Sequence, residues 1–170
     1  SRSGDLIHKC YLKVSVPRLN NDTSNDTNNW LSYVNKFGHA LIESMSLKIG
    51  GVTIDTQTGE FLDIWNQLTM TTEKQDGYNA MVGIYETELD LQFNNKERTY
   101  YIPLQFFFCQ NPGLSLPLIA LQYHEIQIDF EFKSFKDMLC CNNDSDIDAL
   151  LDERLNPSER LFNIDLYVDY

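Results

Sequence analysis

The chain has no apolar run near the roughly 20 residues needed to span a bilayer, and its N-terminus lacks the apolar centre of a secretory signal peptide. The expectation is a soluble intracellular chain with no direct membrane insertion. It is also short of cations: 13 Lys and Arg stand against 25 Asp and Glu, a formal net charge of −12. The acidic residues are spread over strand faces, with one cluster near Asp144 to Glu153. A phosphate-binding surface needs Lys and Arg gathered on one side, so direct nucleic-acid contact is not expected. Adsorption to anionic membranes is disfavoured for the same reason.

Metal-binding and catalytic patterns are equally scarce. The four cysteines, Cys10, Cys109, Cys140 and Cys141, include no CxxC pair for zinc, and adjacent Cys140 and Cys141 cannot bridge each other without strain. Cys109 ends a buried strand pattern and reads as a small core hydrophobe, and all four are expected to be reduced thiols. His8, His39 and His124 are scattered, with no H-x-H or H-x-x-x-H spacing, which counts against a cupin-type metal site. His124 reads as a strand residue at the edge of the core. Asp144, Asp146 and Asp148 imitate the start of a calcium loop, but Ala149 stands where its glycine belongs and Leu155 where its bidentate glutamate belongs, so an EF-hand is excluded. Glu86 with Glu88, or Asp129 with Glu131, would share a strand face and could be paired for glycoside cleavage. Such rows also arise wherever a sheet turns one side to water. There is no nucleophile elbow, phosphate loop or dinucleotide fingerprint. No catalytic, cofactor-binding or metal-binding residue is assigned, no cofactor is implied, and the chain is not expected to be an enzyme.

What the sequence does have is strands. At 170 residues, 42% hydrophobic and 12% aromatic, it can build one domain with a core. The most apolar stretch runs from Tyr100 to Phe132. Tyr100, Ile102, Leu104, Phe106 and Phe108 fall on one face of a first run, while Tyr101, Pro103 and Phe107 share the other with Gln105, which predicts a strand buried on both sides. Asn111-Pro112-Gly113 is a turn, and Pro117 can open one turn of helix through Leu121. Ile126, Ile128, Phe130 and Phe132 then alternate with Glu125, Gln127, Asp129 and Glu131, the pattern of a half-buried strand.

Elsewhere the chain reads similarly. Ile7 to Val16 is a strand closed by Pro17, and Leu41 to Ile49 is a strand turning at Gly50-Gly51 into Val52–Ile54. Tyr85 to Phe93 is a strand turning at Asn94-Asn95, and Leu161 to Tyr170 is the last. Asn20 to Asn29 has no apolar member and reads as a loop. It carries acceptor patterns at Asn21 and Asn25, matched by a third at Asn143, which read as chance products rather than glycosylation sites. Two short helices interrupt the strands. One starts at Thr58 and ends before Gly77, with Phe61, Trp65 and Leu68 on a stripe, broadened by Leu62 and Ile64, that either offers a ligand platform or plugs one end of a sandwich. The other is capped by Ser145 and runs through Arg154. The fold class is all-β, an antiparallel sandwich with two short helices.

Three stretches go further. The run from Tyr101 to Glu125, YIPLQFFFCQNPGLSLPLIALQYHE, together with Gly38 to Gly51 and Asp63 to Thr69, resembles the major capsid proteins of nucleocytoplasmic large DNA viruses, in the family's order and over nearly the whole chain. The resemblance implies a jelly-roll β-sandwich, the first of two jelly rolls. It also implies a strand before Ile7 and a second jelly roll after Tyr170, so residues 1–170 are expected to be a single jelly-roll domain that is a fragment, or one of two halves. The implied function is structural: a homotrimer forming a pseudo-hexagonal capsomer of an icosahedral virion shell, with neighbouring capsomers and minor capsid proteins as partners and assembly in the host cytoplasm. The alternative is a carbohydrate-binding jelly roll that stacks a sugar on Trp30, Tyr33 or Trp65.

Overall fold

A computed structural model describes residues 4–19, 31–86, 96–141, 147, 151, 152, 155, 160 and 162–169. Its strands are β1 (Leu6–Ile7), β2 (Lys9–Val16), β3 (Leu31–Tyr33), β4 (Ile42–Ile49), β5 (Val52–Gln57), β6 (Arg98–Pro103), β7 (Leu116–Pro117), β8 (Ile126–Phe132), β9 (Leu139–Cys141) and β10 (Asn163–Asp169). Helices α1 (Phe37–Leu41), α2 (Gly59–Thr69), α3 (Thr72–Val82) and α4 (Phe107–Gln110) lie between them.

All strand pairs are antiparallel. One three-stranded sheet has the order β10-β2-β6 and a second β5-β4-β8, flanked by the short ribbons β1-β7 and β3-β9. Period-two alternation produces the layers. In β2, Cys10, Leu12, Val14 and Val16 are buried while Lys9 is exposed, and Leu12 sits between Ile102 and Leu166 across the sheet. In β4, Met45 opposes Phe130 and Leu47 opposes Ile128. The inner faces of both sheets feed one core, as expected for a jelly-roll sandwich. At its centre Phe37 stacks on Tyr100 with ring centroids 4.8 Å apart and meets Tyr33 and Phe162 edge-on at 5.5 Å each. Such pairs contribute about 0.5–1.5 kcal/mol each beyond their burial.

Several boundaries differ from the sequence reading. The strand expected over Tyr100–Phe108 ends at Pro103, and the chain continues as an irregular Leu104–Phe106 segment and then α4. Leu104, Phe106 and Phe108 nevertheless remain as buried as Tyr100 and Ile102, and Gln57 Nε2 and Gln110 Nε2 both donate to the Gln105 carbonyl at 2.9 Å where the ladder has stopped. On the opposite face Tyr101 is 41% exposed, while Pro103, Gln105 and Phe107 are half-buried. Leu41 closes α1 instead of opening β4. The hairpin turn at Gly50-Gly51 is as expected, with φ of 59° and 82°, a region glycine enters without a Cβ clash; β5 then runs beyond Ile54 to Gln57.

Asn111 caps the predicted turn by accepting the Gly113 N–H at 2.9 Å. Pro117 belongs to β7, and the helical character after it amounts to the Leu121 N–H donating to its carbonyl. α2 is where the sequence placed it, and Thr58 Oγ1 accepts the Phe61 N–H at 3.3 Å. It stops at Met70, however, and α3 follows with Gly77 inside it. The Asn20–Asn29 loop, most of the Tyr85–Phe93 strand with its Asn94-Asn95 turn, and most of the Ser145–Arg154 helix lie outside the described residues, although Ile147, Leu151 and Asp152 are helical.

Candidate assembly surface and a buried polar node

Helix α2 has an inner and an outer face. Gly59, Leu62 and Asn66 are buried, so of the expected stripe Leu62 faces the core while Leu68 and Ile64 do not. Phe61 and Trp65 are half-buried, their rings 5.9 Å apart. Ile64 is exposed and Leu68 is 79% exposed. Apolar side chains also project from the segment beyond α4. The Leu118 N–H donates to the Asp5 carbonyl and Leu6 pairs with Pro117, which pins that segment to β1 while Leu114, Ile119 and Tyr123 stay exposed, Tyr123 by 89%. The outer face of β10-β2-β6 carries Tyr11 opposite Tyr167, with Lys13 Nζ 5.6 Å from the Tyr167 ring centroid and 3.7 Å from Asp165. A single exposed leucine is ordinary on a soluble protein, and only a contiguous exposed apolar patch marks an interaction surface; on α2, Ile64 and Leu68 lie four residues apart on one exposed side.

Beneath α2 lies a polar node that ties three helices together. Lys36, in the left-handed region at φ 55°, donates from Nζ to both Asp63 oxygens at 3.0 and 2.8 Å. Gln67 Nε2 also donates to Asp63, at 3.0 Å. His39 is 3% exposed; its Nε2 lies 2.8 Å from the Tyr78 hydroxyl and its Nδ1 lies 3.4 Å from Asp63 Oδ1. Burial lowers the imidazole pKa against the pull of Asp63. Burial alone would raise the Asp63 carboxyl, but hydrogen bonds from Lys36 and Gln67 bring it below the ordinary range. The Tyr78 hydroxyl is pushed up by burial and by Asp63. His39 is therefore neutral beside an ionised Asp63; Tyr78 O–H donates to Nε2, and Nδ1 lies 3.4 Å from Asp63 Oδ1 without making a hydrogen bond. A cavity of about 390 Å³ opens beside it, lined by Lys36, His39, Glu43, Thr58, Asp63 and Lys133 among others. With its hydroxyl buried against His39, Tyr78 presents no nucleophile; the node positions α1, α2 and α3.

Sequence reasoning missed this node. Its members, 36, 39, 63 and 78, share no spacing, and only the packing of three helices brings them together. The signal that was available is Lys36-Phe-Gly-His39 just before a strand, followed by Asp63 and Asn66 flanking the apolar Ile64-Trp65 pair of the helix. His124 is exposed in the bend before β8, not a strand residue at the core edge, and lies where a Cβ on Gly50 would meet its Nδ1 at 2.8 Å.

Of the sugar-stacking candidates, Tyr33 is fully buried and donates its hydroxyl to the Pro17 carbonyl at 2.6 Å, so it cannot present a ring to a ligand. Trp65 lines a groove, and Trp30 lies outside the described residues. Among the carboxylates, Asp129 is paired with Lys48 at 2.6 Å and Glu131 accepts from Ser44 at 2.6 Å, the arrangement of a solvated sheet face. Glu88, Asp144, Asp146 and Asp148 lie outside the described residues. Among the described residues no three His, Cys, Asp or Glu side chains cluster as metal ligands, and no helix is long and apolar enough to cross a membrane.

A family model described as the major capsid protein N-terminus matches residues 1–170. The major capsid protein of Pyramimonas orientalis virus is 43% identical over 141 residues, covering 82% of this chain and 34% of that protein. That of Chrysochromulina ericina virus is 32% identical over 228 residues, covering all of this chain and 38% of the relative. The chain thus spans about a third of the length of the curated relatives it matches. Among solved structures, PBCV-1 VP54, fitted into a cryo-EM reconstruction of the virophage Sputnik, superposes with a TM-score of 0.62 at 30% identity, covering 78% of this chain and 29% of that one. The Faustovirus major capsid protein superposes at 0.59 with 11% identity, covering 83% of this chain and 40% of that one, a likeness of fold alone. An antiparallel jelly roll, apolar side chains turned outward and a family match along its full length make this chain a member of the major capsid protein family, in that family's N-terminal part.

Proposed function

We propose that the protein is a structural subunit of an icosahedral virion shell, residues 1–170 forming one jelly-roll domain of a subunit with two. Three subunits form a pseudo-hexagonal capsomer, which contacts neighbouring capsomers and minor capsid proteins and assembles in the host cytoplasm. The work done is burial of subunit surface and closure of a ring, with no bond made or broken. The observation that carries this reading is the outward apolar face of α2, with Leu68 79% exposed on a helix whose opposite side is already committed to the core. Neutral His39 and ionised Asp63 support it as the fastening that holds this face at a fixed angle, and the −12 charge supports a partner that is protein and not nucleic acid. The test is the native mass of the full-length protein by light scattering. A stable trimer is expected, whereas a monomer at every concentration would overturn the capsomer.

A further inference from the structure

A groove of about 620 Å³ opens between α2, α3 and the segment that follows β6. Its floor is the core itself, since Leu104 and Cys10 line it and are buried, and Trp65, Met70 and Met81 form its apolar walls. Those walls are held from behind. Gln57 and Gln110 both donate to the Gln105 carbonyl at 2.9 Å, and the Tyr78 hydroxyl ties α3 to His39 at 2.8 Å, so the groove is shaped before anything enters it. Lys9 and Lys74 are exposed at its rim, with Glu73 beside them. Gly77 also belongs to the lining, and a Cβ built there meets nothing within 4 Å.

The same chain carries a projection with the complementary features. The His124 N–H donates to the Leu121 carbonyl at 3.0 Å, which closes a tight turn with Tyr123 at its tip. Tyr123 is 89% exposed, and Ile119 on the same segment is exposed too. The Leu118 N–H, donating to the Asp5 carbonyl at 2.9 Å, anchors the base of the projection. Asp5 and Glu125 stand exposed at its two ends. Among the described residues, none of Lys9, Lys74, Asp5 and Glu125 has an ion-pair partner within the chain. We infer that Tyr123 of one copy inserts into the groove of a second copy, with Ile119 against its apolar wall and the Asp5 and Glu125 carboxylates facing Lys9 and Lys74. A large ring with a polar tip is the residue type that anchors such a contact. The charge pattern selects the occupant: copies that each carry −12 repel one another unless local charges of opposite sign meet, and here a cationic rim meets an acid-flanked knob. Trp65 and Thr69 line the groove from α2, so the second copy lies next to the exposed Leu68. Knob and groove are different surfaces, which makes the contact head-to-tail, able to close a ring. Closure at three copies rests on the capsomer reading above.

The test follows the mass of the full-length protein by light scattering over a concentration series, as wild type, as Tyr123→Ser and as Gly77→Phe. The first substitution removes the knob from an exposed turn, and the second fills the groove from a position with open space around it. Each is expected to shift the monomer–trimer balance towards monomer by about 10- to 100-fold without lowering the urea midpoint. A second measurement needs no variant. Wild-type protein assembled from equal parts of light and heavy-isotope chains is treated with a carbodiimide, which joins an amine to a carboxylate only where the two touch. Lys9 or Lys74 is expected to be joined to Asp5 or Glu125 in peptides of mixed isotope, the signature of a link between copies. A trimer that either substitution leaves as stable as the wild type overturns the contact alone, as does a trimer in which these lysines couple only within one copy or to other carboxylates; both outcomes leave the groove to a partner outside the trimer. A wild type that is monomeric at every concentration overturns the contact and the capsomer together.

Discussion

His39 gives the fold a pH response whose sign follows from its surroundings. Burial lowers its pKa from the ordinary 6.5, and Lys36 adds to that, against the opposing pull of Asp63. On acidification the unfolded chain takes up a proton near 6.5 before the folded chain does. Stability from this group is therefore complete above that pH and is lost as pH falls towards the folded value. Asp63, held below its ordinary 3.8, contributes stability that persists above 3.8 and is lost only further into acid. Two separate acid limbs follow. The urea midpoint, followed from about pH 8 down to pH 5, should decline through the first limb. His39→Gln should lower the midpoint at neutral pH, since Tyr78 loses its partner, while flattening that slope. A wild-type midpoint that is level across this range, or a slope that survives the substitution, would refute the assignment.

At the scale of elements, α2 and α3 make opposite predictions from the same residue type. A Cβ on Gly59, at the start of α2, would overlap the His39 carbonyl and stand 2.6 Å from that of Ile42. Neither backbone oxygen can swing aside, so Gly59→Ala should cost about 2–3 kcal/mol or more. Gly77, in the middle of α3, has nothing within 4 Å of where its Cβ would be. Gly77→Ala should therefore stabilise by about 0.5–1 kcal/mol through the unfolded chain's lost freedom. Chemical denaturation measures both, and equal signs would contradict the packing. These helices also show where sequence reading stops. α2 was legible because Thr58 starts it and aromatic residues recur along it, and its stripe was right at Leu62 but wrong at its C-terminal end, since Asn66 takes a core position and Leu68 does not. α3 was not legible: only Tyr78 and Val82 are buried, too few for a stripe, and Gly77 reads as a stop. Strands β2, β4, β8 and β10 were legible because alternation and burial share a period of two. The same alternation misled beyond Pro103, where Leu104, Phe106 and Phe108 keep entering the core after the backbone has left the sheet.

For the whole molecule the question is whether the outward apolar face belongs to this chain or to a partner. Scattered exposed leucines are common, and one that nothing covers can be replaced within about ±0.5 kcal/mol of folding stability. A leucine buried only on assembly behaves differently: its transfer contributes about 1.5–3 kcal/mol to association, which is roughly 10- to 100-fold in the assembly constant. Leu68, at 79% exposure, separates the two cases because folding and assembly can be read on the same sample. Leu68→Asp in the full-length protein should leave the denaturation midpoint nearly unchanged and shift the monomer–trimer balance towards monomer by at least 10-fold, with a larger shift when Ile64→Asp is added on the same exposed face. The added carboxylates also raise the repulsion between subunits whose N-terminal part already carries −12, so added salt should restore part of the charge contribution and none of the apolar contribution. A trimer that forms as readily with both substitutions as without them would place the subunit interface elsewhere, and Tyr123, 89% exposed on the segment tied to β1, would be the next position to change.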